Sequence, residues 1–253
     1  MNLLGSFVIA FSMYSRIPMP KVEWTGERMK YAMCFFPLVG VVIGLLEMAL
    51  WTVCGRFGFF AFQRIFPLVF PILVTGGIHM DGLLDVIDAK SSYGDKEKKL
   101  EILKDSHTGA FAIIGCSMYL LLYFAAFQEI RSSIIPAYCM IFPLTRSLSG
   151  LSVVTFPMAK KSGLAAEFSG AAEKKVVKAA MLFYLVSSEL GIWYLGGSPA
   201  ALTVLLICLF VFWRYYAMAK REFGGINGDL AGYFLQVCEL ALTVGLAILS
   251  HWR

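Results

Sequence analysis

Charged residues are scarce in this chain of 253 residues: only 15% are Asp, Glu, Lys or Arg, against 58% that are hydrophobic. The mean hydropathy is +0.72. A water-soluble domain of this length covers more of its surface with polar groups, so the composition excludes an ordinary soluble protein. We therefore predict an all-α, polytopic membrane protein that is embedded in the lipid bilayer and satisfies its backbone polar groups within helices.

The chain also lacks the patterns of several other protein classes. Its six cysteines stand singly in apolar stretches with no C-x-x-C pair. This is typical of buried, reduced cysteine rather than of a zinc site or a disulfide framework. There is no compact basic stripe with interleaved aromatics, so the net charge of +5 does not indicate nucleic-acid binding. Without repeats or a recognisable cleaved signal, we expect one membrane-embedded domain over 1–253.

Apolar windows of about 20 residues predict seven transmembrane helices. They lie at 31–51, 59–78, 110–127, 134–156, 177–195, 199–217 and 231–250. A short apolar helix at 1–15 precedes them, and the sequence leaves open whether it is interfacial, re-entrant or an eighth span. The sequence also leaves open whether copies of the chain associate as a homo-oligomer.

The successive connections between these spans are alternately rich and poor in lysine and arginine. The rich segments are 16–30, 90–104, 160–178 and 214–221, whereas the connections between them hold one basic residue or none. The positive-inside rule then predicts a multi-pass protein of the cytoplasmic (inner) membrane with its N-terminal segment in the cytoplasm. The polar motifs described next all fall on that cytoplasmic side, where we expect an active site.

The densest acidic motif follows the second predicted span. Asp81, Asp85 and Asp88 are spaced i, i+4 and i+7, which places them on one face of a helix. Carboxylate oxygen is the ligand that Mg²⁺ prefers, so we predict that the three hold Mg²⁺, with Asp81 and Asp85 also catalytic. His79 lies beside them and is a candidate catalytic base or substrate ligand. The alternative is a solvated helix end balanced by nearby lysines.

A second polar motif, Lys104-Asp105-Ser106, leads into the third span. A helix N-terminus with an adjacent lysine and hydroxyl is a natural phosphate site, so we expect these three residues to bind substrate. The alternative is that Ser106 or Thr108 only caps the helix.

A glycine-rich segment opens the last predicted span. Gly225, Gly228 and Asp229 are candidate substrate-binding residues, with Asp229 a second carboxylate arm; the alternative is a flexible turn. Glu239 lies deeper in the same span, where an acid must be neutral, paired or functional. We therefore add Glu239 to the substrate-binding candidates, with Arg146 of the fourth span as a possible ion-pair partner.

Together these segments resemble one family, adenosylcobinamide-GDP ribazoletransferase, also called cobalamin (5′-phosphate) synthase. The resemblance runs nearly end to end and covers 14–20, 36–44, 76–88, 104–109 and 224–239, which are similar to the family patterns T-R-I-P-x-P, F-P-L-V-G-x-x-I-G, G-G-x-H-x-D-G-x-x-D-x-x-D, K-D-S-R-x-G and G-G-x-T-G-D-x-x-G with a following acid. Three positions depart from the patterns: His107 replaces an arginine, Asn227 a threonine and Ala89 a frequent glycine.

The resemblance implies a Mg²⁺-dependent transferase that joins adenosylcobinamide-GDP to α-ribazole, or its 5′-phosphate, and releases GMP. This reaction is the last assembly of the cobalamin nucleotide loop. Two alternatives remain at this point. CDP-alcohol phosphotransferases use D-G-x-x-A-R, but Asp85 and Val86 occupy the last two places here. A secondary transporter would fit the intramembrane acid, but its polar site should lie near mid-membrane.

Overall fold

The protein is all-α in the computed structural model, which describes residues 2–105, 107–160 and 163–252. Within those ranges there is no β-strand, only an isolated bridge between Met158 and Ile226. The helices are α1 (Leu3–Tyr14), α2 (Gly26–Met29), α3 (Phe36–Phe57), α4 (Phe60–Thr75), α5 (Ile78–Ser91), α6 (Lys96–Ile102), α7 (Ala110–Gln128), α8 (Ile135–Cys139), α9 (Ile141–Thr155), α10 (Leu164–Ala171), α11 (Lys174–Met218) and α12 (Gly228–His251). Short 3₁₀ turns at Ala32–Phe35 and Ser132–Ile134 and a π-turn at Ala219–Phe223 extend α3, α8 and α11. The predicted fold class is confirmed.

Several of these helices are long and apolar enough to cross a membrane. By length and composition, five described stretches qualify: Ala32–Phe57, Ala110–Gln128, Ser132–Thr155, Lys174–Phe223 and Gly228–His251. A sixth is added if α4 and α5, which are bent by 96°, form one broken span. The protein is thus a multi-pass membrane protein, while the count of seven stays a prediction.

The long helix α11 is broken near its middle. Gly197 has φ 78° and ψ 174°, a conformation that is essentially restricted to glycine. Leu185 and Phe212 line the same cavity. In a straight helix these two residues would be about 40 Å apart, at about 1.5 Å per residue. The chain therefore turns back at Gly197, and the two halves correspond to the predicted spans 177–195 and 199–217.

The N-terminal helix α1 does not cross the membrane by itself. Its 12 residues extend about 18 Å, against about 30 Å for the hydrocarbon core of a bilayer. Its side chains Val8, Ile9 and Phe11 are buried, and it packs against the turn before α3. An eighth span at 1–15 is therefore excluded, and α1 is instead a wall of the bundle.

Helix α9 is the most enclosed part of the molecule, since α3, α11 and α12 all pack on it. The α3–α9 contact is close because α3 carries glycine where the backbones meet. A Cβ built on Gly40 would lie 2.5 Å from the carbonyl oxygen of Phe142, and one on Gly44 would overlap the carbonyl of Cys139. These close approaches explain the glycine spacing of the segment 36–44.

Two consecutive glycines set the direction of α5. Gly76 and Gly77 have φ values of 65° and 79°, in the left-handed region that favours glycine. The resulting bend turns α5 away from α4 and lays it along α12. A Cβ on Gly82 would lie 2.6 Å from the carbonyl oxygen of Asp229. The acidic motif and the start of α12 are distant in sequence, and this packing brings them together.

Candidate active site

Two cavities meet at Asp81, which lines both of them. The first, of about 400 Å³, is called the lysine cavity; it is lined mainly by Met13, Tyr14, Met33, Phe36, His79, Asp81, Leu103, Lys104, Ser149, Lys160, Ala166, Phe168, Asn227, Gly228 and Asp229. The second, of about 840 Å³, is called the arginine cavity; it is lined mainly by Ser12, Arg16, Ile17, Met19, Thr75, Gly76, Gly77, Met80, Asp81, Leu84 and Cys116. The first turn of α5 separates the two.

Asp81 and Asp85 lie one helical turn apart on α5 without neutralising partners. Across the ranges that the structure describes, neither carboxylate has a hydrogen-bond or ion-pair partner. Asp85 also lies within electrostatic range of Asp81, Asp229 and Asp88. Several carboxylates that face one another in this way repel, and a bound cation would relieve the repulsion.

Asp88 has a different role from the other two aspartates of the motif. Its carboxylate accepts hydrogen bonds from the backbone amides of Gly109 and Ala112, the latter at 2.9 Å, and so caps α7. A Cβ on Gly109 would lie 2.6 Å from a carboxylate oxygen of Asp88, which explains the glycine there. The described residue that caps α7 is therefore not Thr108 but an aspartate 21 residues before Gly109, and the alternative at Ser106 lies outside the described residues.

This arrangement reduces the predicted Mg²⁺ ligands from three aspartates to two. In the described part of the chain, no three His, Cys, Asp or Glu side chains lie together as a ready metal site. Mg²⁺ usually takes one or two carboxylates together with substrate phosphates, so it does not require a closed cage of protein ligands. The free pair Asp81 and Asp85 fits that requirement, whereas both oxygens of Asp88 are already hydrogen-bonded.

Two lysines supply positive charge to the lysine cavity. Lys104 lines it, and its predicted role in binding substrate stays a prediction. Lys160 lines it as well and donates a hydrogen bond to the carbonyl of Leu100 at 2.9 Å. Burial, and then the neighbouring Lys104 ammonium, lowers the pKa of Lys160. From the sequence, Lys160 is expected on the cytoplasmic side among several basic residues of a loop, with no role in binding.

Asp229 reaches the lysine cavity from the first turn of α12. Asn227 caps that helix through Oδ1, which accepts from the amide of Leu230 at 2.9 Å, while its Nδ2 donates to Asp229 at 2.8 Å. Asparagine at 227 therefore both starts the helix and orients the carboxylate. Gly228 also lines the cavity, and a Cβ there would meet open space.

Gly225 lies outside the cavity walls and has a packing role. A Cβ on it would come within 2.5 Å of the carbonyl oxygen of Pro157. The neighbouring Ile226 donates to that same oxygen at 2.8 Å and accepts from Ala159 at 2.8 Å. The glycine thus lets two loops meet, and its predicted contact with substrate has no support in this geometry.

His79 is buried beside the acidic pair, with 5% of its surface exposed. It lines the lysine cavity, and its ring lies nearly parallel to that of Tyr14, with centroids 6.3 Å apart. Among the described residues its Nε2 atom has no hydrogen-bond partner. The position is next to the site, but a catalytic role for His79 stays a prediction.

Like Asp85 and Asp88, the candidates Asp105 and Glu239 line neither cavity. Asp105 is exposed and accepts from the amide and ring of His107 at 3.0 and 2.7 Å; these bonds, the backbone one first, lower the pKa of Asp105. Glu239 is 2% exposed and accepts from Arg146 at 2.8 Å. The suggested Arg146–Glu239 pair is confirmed, but Glu239 lies ten residues, or about 15 Å, along α12 from Asp229. Ser106 lies outside the described residues.

Sequence reasoning gave no role to Arg16, although its segment carried part of the resemblance. Arg16 is exposed on the arginine cavity, and its amide donates to the carbonyl of Val74 at 2.7 Å. Its side chain lies on Gly76, where a Cβ would come within 2.8 Å of Cγ. This contact is a second reason for glycine at position 76, because any side chain there would displace the arginine.

Comparison with known proteins gives one consistent result. The family model "Cobalamin-5-phosphate synthase" matches residues 6–247. A protein of Lachnoclostridium phytofermentans named adenosylcobinamide-GDP ribazoletransferase is 47% identical, over 98% of this chain and 94% of that protein. Proteins with the same name from Clostridium perfringens SM101 and Pseudomonas entomophila are 33% and 34% identical, each over at least 95% of both chains. No solved structure matches.

Proposed function

Since the chain belongs to the cobalamin-5-phosphate synthase family and is a transferase of cobalamin synthesis, we propose that it joins adenosylcobinamide-GDP to α-ribazole or α-ribazole 5′-phosphate. GMP is the second product. Family membership removes the reason to assign the chain to the CDP-alcohol phosphotransferases or to the transporters.

The observation that best supports this reaction is the position of Asp81 in the walls of two adjoining cavities. A transferase with two large substrates needs a binding region for each and a point where the reacting atoms meet. Asp81 occupies such a point. Asp85 lines neither cavity, but it lies one turn away and has no partner among the described residues. We place the transferred phosphorus at Asp81.

Mg²⁺ belongs to the proposal as the cofactor, held by Asp81 and Asp85 together with phosphate oxygens of the substrate. When bound, it would neutralise the negative charge that develops on the diphosphate and on the leaving GMP. Asp88 is removed from the ligand set because its carboxylate caps α7. Asp229 lies opposite and orients the ribose or completes the ligand set.

The bond changes follow from the two substrates. A ribose hydroxyl of the acceptor attacks the phosphorus that is attached to cobinamide, a new P–O bond forms, and the P–O bond to GMP breaks. The 5′ oxygen is esterified in α-ribazole 5′-phosphate, so the attacking group is a secondary hydroxyl. Its proton passes to a carboxylate that faces the lysine cavity, Asp81 or Asp229. Lys104 and Lys160 hold phosphate oxygens nearby.

We place the site at the cytoplasmic face of the inner membrane. The segments that build it, 76–88, 104–109 and 224–229, are those that the distribution of lysine and arginine assigns to the cytoplasm. A nucleotide-linked substrate would then be used on the side where nucleotides are made.

The test is a GMP-release assay on the purified full-length protein in detergent. With adenosylcobinamide-GDP, α-ribazole and Mg²⁺ we expect GMP and a product that carries the complete nucleotide loop. EDTA should abolish the reaction, and added Mg²⁺ should restore it. GMP release that persists in EDTA would contradict the metal assignment, and the absence of any joined product would contradict the function.

A further inference from the structure

We propose that the two substrates reach Asp81 through separate cavities: the acceptor occupies the lysine cavity, with its base against an aromatic wall, and the donor occupies the arginine cavity. This assignment rests on the proposed function and adds to it which cavity holds which substrate. It is argued below from the chemistry of each cavity wall.

One end of the lysine cavity is built from aromatic rings. Tyr14 packs between Phe36 and Phe168, with ring centroids 4.2 and 6.3 Å away, and the ring of His79 lies 5.8 Å from that of Phe36. The three phenyl-type rings belong to α1, α3 and α10, so distant parts of the chain converge on this wall. Such a wall binds a flat, apolar ring by burial and stacking.

Apart from the Nε2 of His79, which has no partner among the described residues, this aromatic end offers few hydrogen bonds to a ligand. The Tyr14 hydroxyl already donates to the sulfur of Met33 at 3.4 Å, and the Ser149 hydroxyl donates to the carbonyl of Ala231 at 3.4 Å. A guanine base has a polar edge that would lose its hydrogen bonds here, which costs free energy. The benzimidazole of α-ribazole has no such edge. The wall therefore favours the acceptor over the guanosine part of the donor.

Charged side chains also line this cavity. They are Lys104, Lys160, Asp229 and the shared Asp81. The cavity thus offers surfaces for an apolar base and for an anion. At about 400 Å³ it is within the usual range of about 300–1,000 Å³ for small-ligand pockets, but it is too small for a corrinoid as well.

The arginine cavity suits the donor. It is about twice as large, at about 840 Å³, and it is lined by the flexible side chains of Met13, Met19 and Met80. Methionine adapts to large and irregular apolar ligands. Arg16 is exposed on it, and among the described residues its guanidinium has no hydrogen-bond or ion-pair partner. A guanidinium in a cavity that Asp81 also lines is well placed to bind the diphosphate of the donor.

The experiment compares two variants of the purified full-length protein. Ala166→Phe fills the lysine cavity from α10, and Arg16→Gln removes the cation of the arginine cavity. We expect Ala166→Phe to raise KM for α-ribazole 5′-phosphate by about tenfold or more, with KM for the donor unchanged. Arg16→Gln should raise KM for the donor by about tenfold and leave KM for the acceptor unchanged. Ala125→Phe, the same change at an exposed position of α7, is the matched control.

If a variant turns over too slowly for its KM to be measured, substrate binding can be measured directly. Equilibrium dialysis of α-ribazole 5′-phosphate without donor should show weaker binding to Ala166→Phe and normal binding to Arg16→Gln. The inference is overturned if the two KM effects are exchanged, or if Ala166→Phe leaves the acceptor's KM and binding as in the unmodified protein. Those results would leave the proposed function intact, which fails only if the unmodified protein forms no joined product.

Discussion

At the scale of single residues, the three aspartates of α5 divide into two kinds. Among the described residues, the carboxylates of Asp81 and Asp85 have no partner, whereas that of Asp88 accepts from the backbone amides of Gly109 and Ala112. Spacing alone places all three on one face, and so it predicts one shared role. The groups that contact each carboxylate depend on tertiary packing, and the spacing of the aspartates in the sequence does not predict that packing.

We expect Asp85→Asn to lose activity and Asp88→Ala to lose stability. Asp85→Asn should lower GMP release by about 100-fold or more, because a carboxylate held for Mg²⁺ is lost, and should leave thermal unfolding unchanged. Asp88→Ala should lower stability by about 1–2 kcal/mol, because the cap of α7 is lost. The measurements are GMP release against Mg²⁺ concentration and thermal unfolding in detergent.

Glu97→Gln on α6 is the control for these two variants, since it removes a negative charge at an exposed position. It should change neither measurement. A normal response of Asp85→Asn to Mg²⁺ would contradict its assignment, and a stable Asp88→Ala protein would contradict the capping role.

Lys160 predicts a pH effect. Because burial and the Lys104 ammonium lower its pKa, Lys160 loses its proton at a lower pH than an ordinary lysine. KM for α-ribazole 5′-phosphate should therefore rise on the alkaline side, while arginine at this position would stay protonated throughout. The measurement is KM against pH for the unmodified protein and for Lys160→Arg. An identical alkaline rise in both would show that another group is responsible.

At the scale of helices, the bend between α4 and α5 decides where the acidic motif lies. The sequence predicted a span ending at 78 and an acidic helix after it, which is close to the observed boundary. It did not predict the 96° turn, because glycine permits many backbone conformations and the direction is set by what α5 packs against. That partner is α12, the last helix of the chain.

Gly77→Ala tests the bend with little steric interference. A Cβ there would meet nothing within 4 Å, so the cost comes only from the φ of 79°. We expect a loss of about 1 kcal/mol in stability, together with reduced GMP release. Gly77→Asn should be milder, since asparagine tolerates the left-handed region better.

The control for the bend is Gly26→Ala, where φ is ordinary and a Cβ also meets open space. It should leave both stability and activity unchanged. If Gly77→Ala were as stable and active as Gly26→Ala, the bend would not depend on the left-handed glycine. Gly76→Ala should be the more damaging variant, because it also displaces Arg16.

At the scale of the whole molecule, the sequence predicted the all-α membrane fold, which is confirmed, because hydropathy acts over long windows. The cytoplasmic face of the site, which the distribution of lysine and arginine indicates, stays a prediction. The sequence also placed the two halves of α11, which the glycine at 197 separates. The cavities could not be foreseen, since each is walled by helices from three or more parts of the chain. Hence Arg16, Lys160 and Phe168 were missed.

The orientation in the membrane can be measured with single cysteines in a protein whose six native cysteines are replaced. Lys96→Cys and Arg56→Cys are both at exposed positions. With the site in the cytoplasm, an impermeant maleimide added to intact cells should label only Arg56→Cys. Permeabilised cells should label both. Labelling of Lys96→Cys alone in intact cells would reverse the proposed orientation.

The buried pair of Arg146 and Glu239 has a consequence for how the protein is made. Arg146 enters the bilayer 93 residues before its counter-ion is synthesised, and a lone buried charge is costly until it is paired. The same last helix, α12, also brings Asp229 to the acidic pair. Membrane assembly and completion of the active site therefore end with one event, so a chain cut short before α12 lacks both its charge balance and its chemistry.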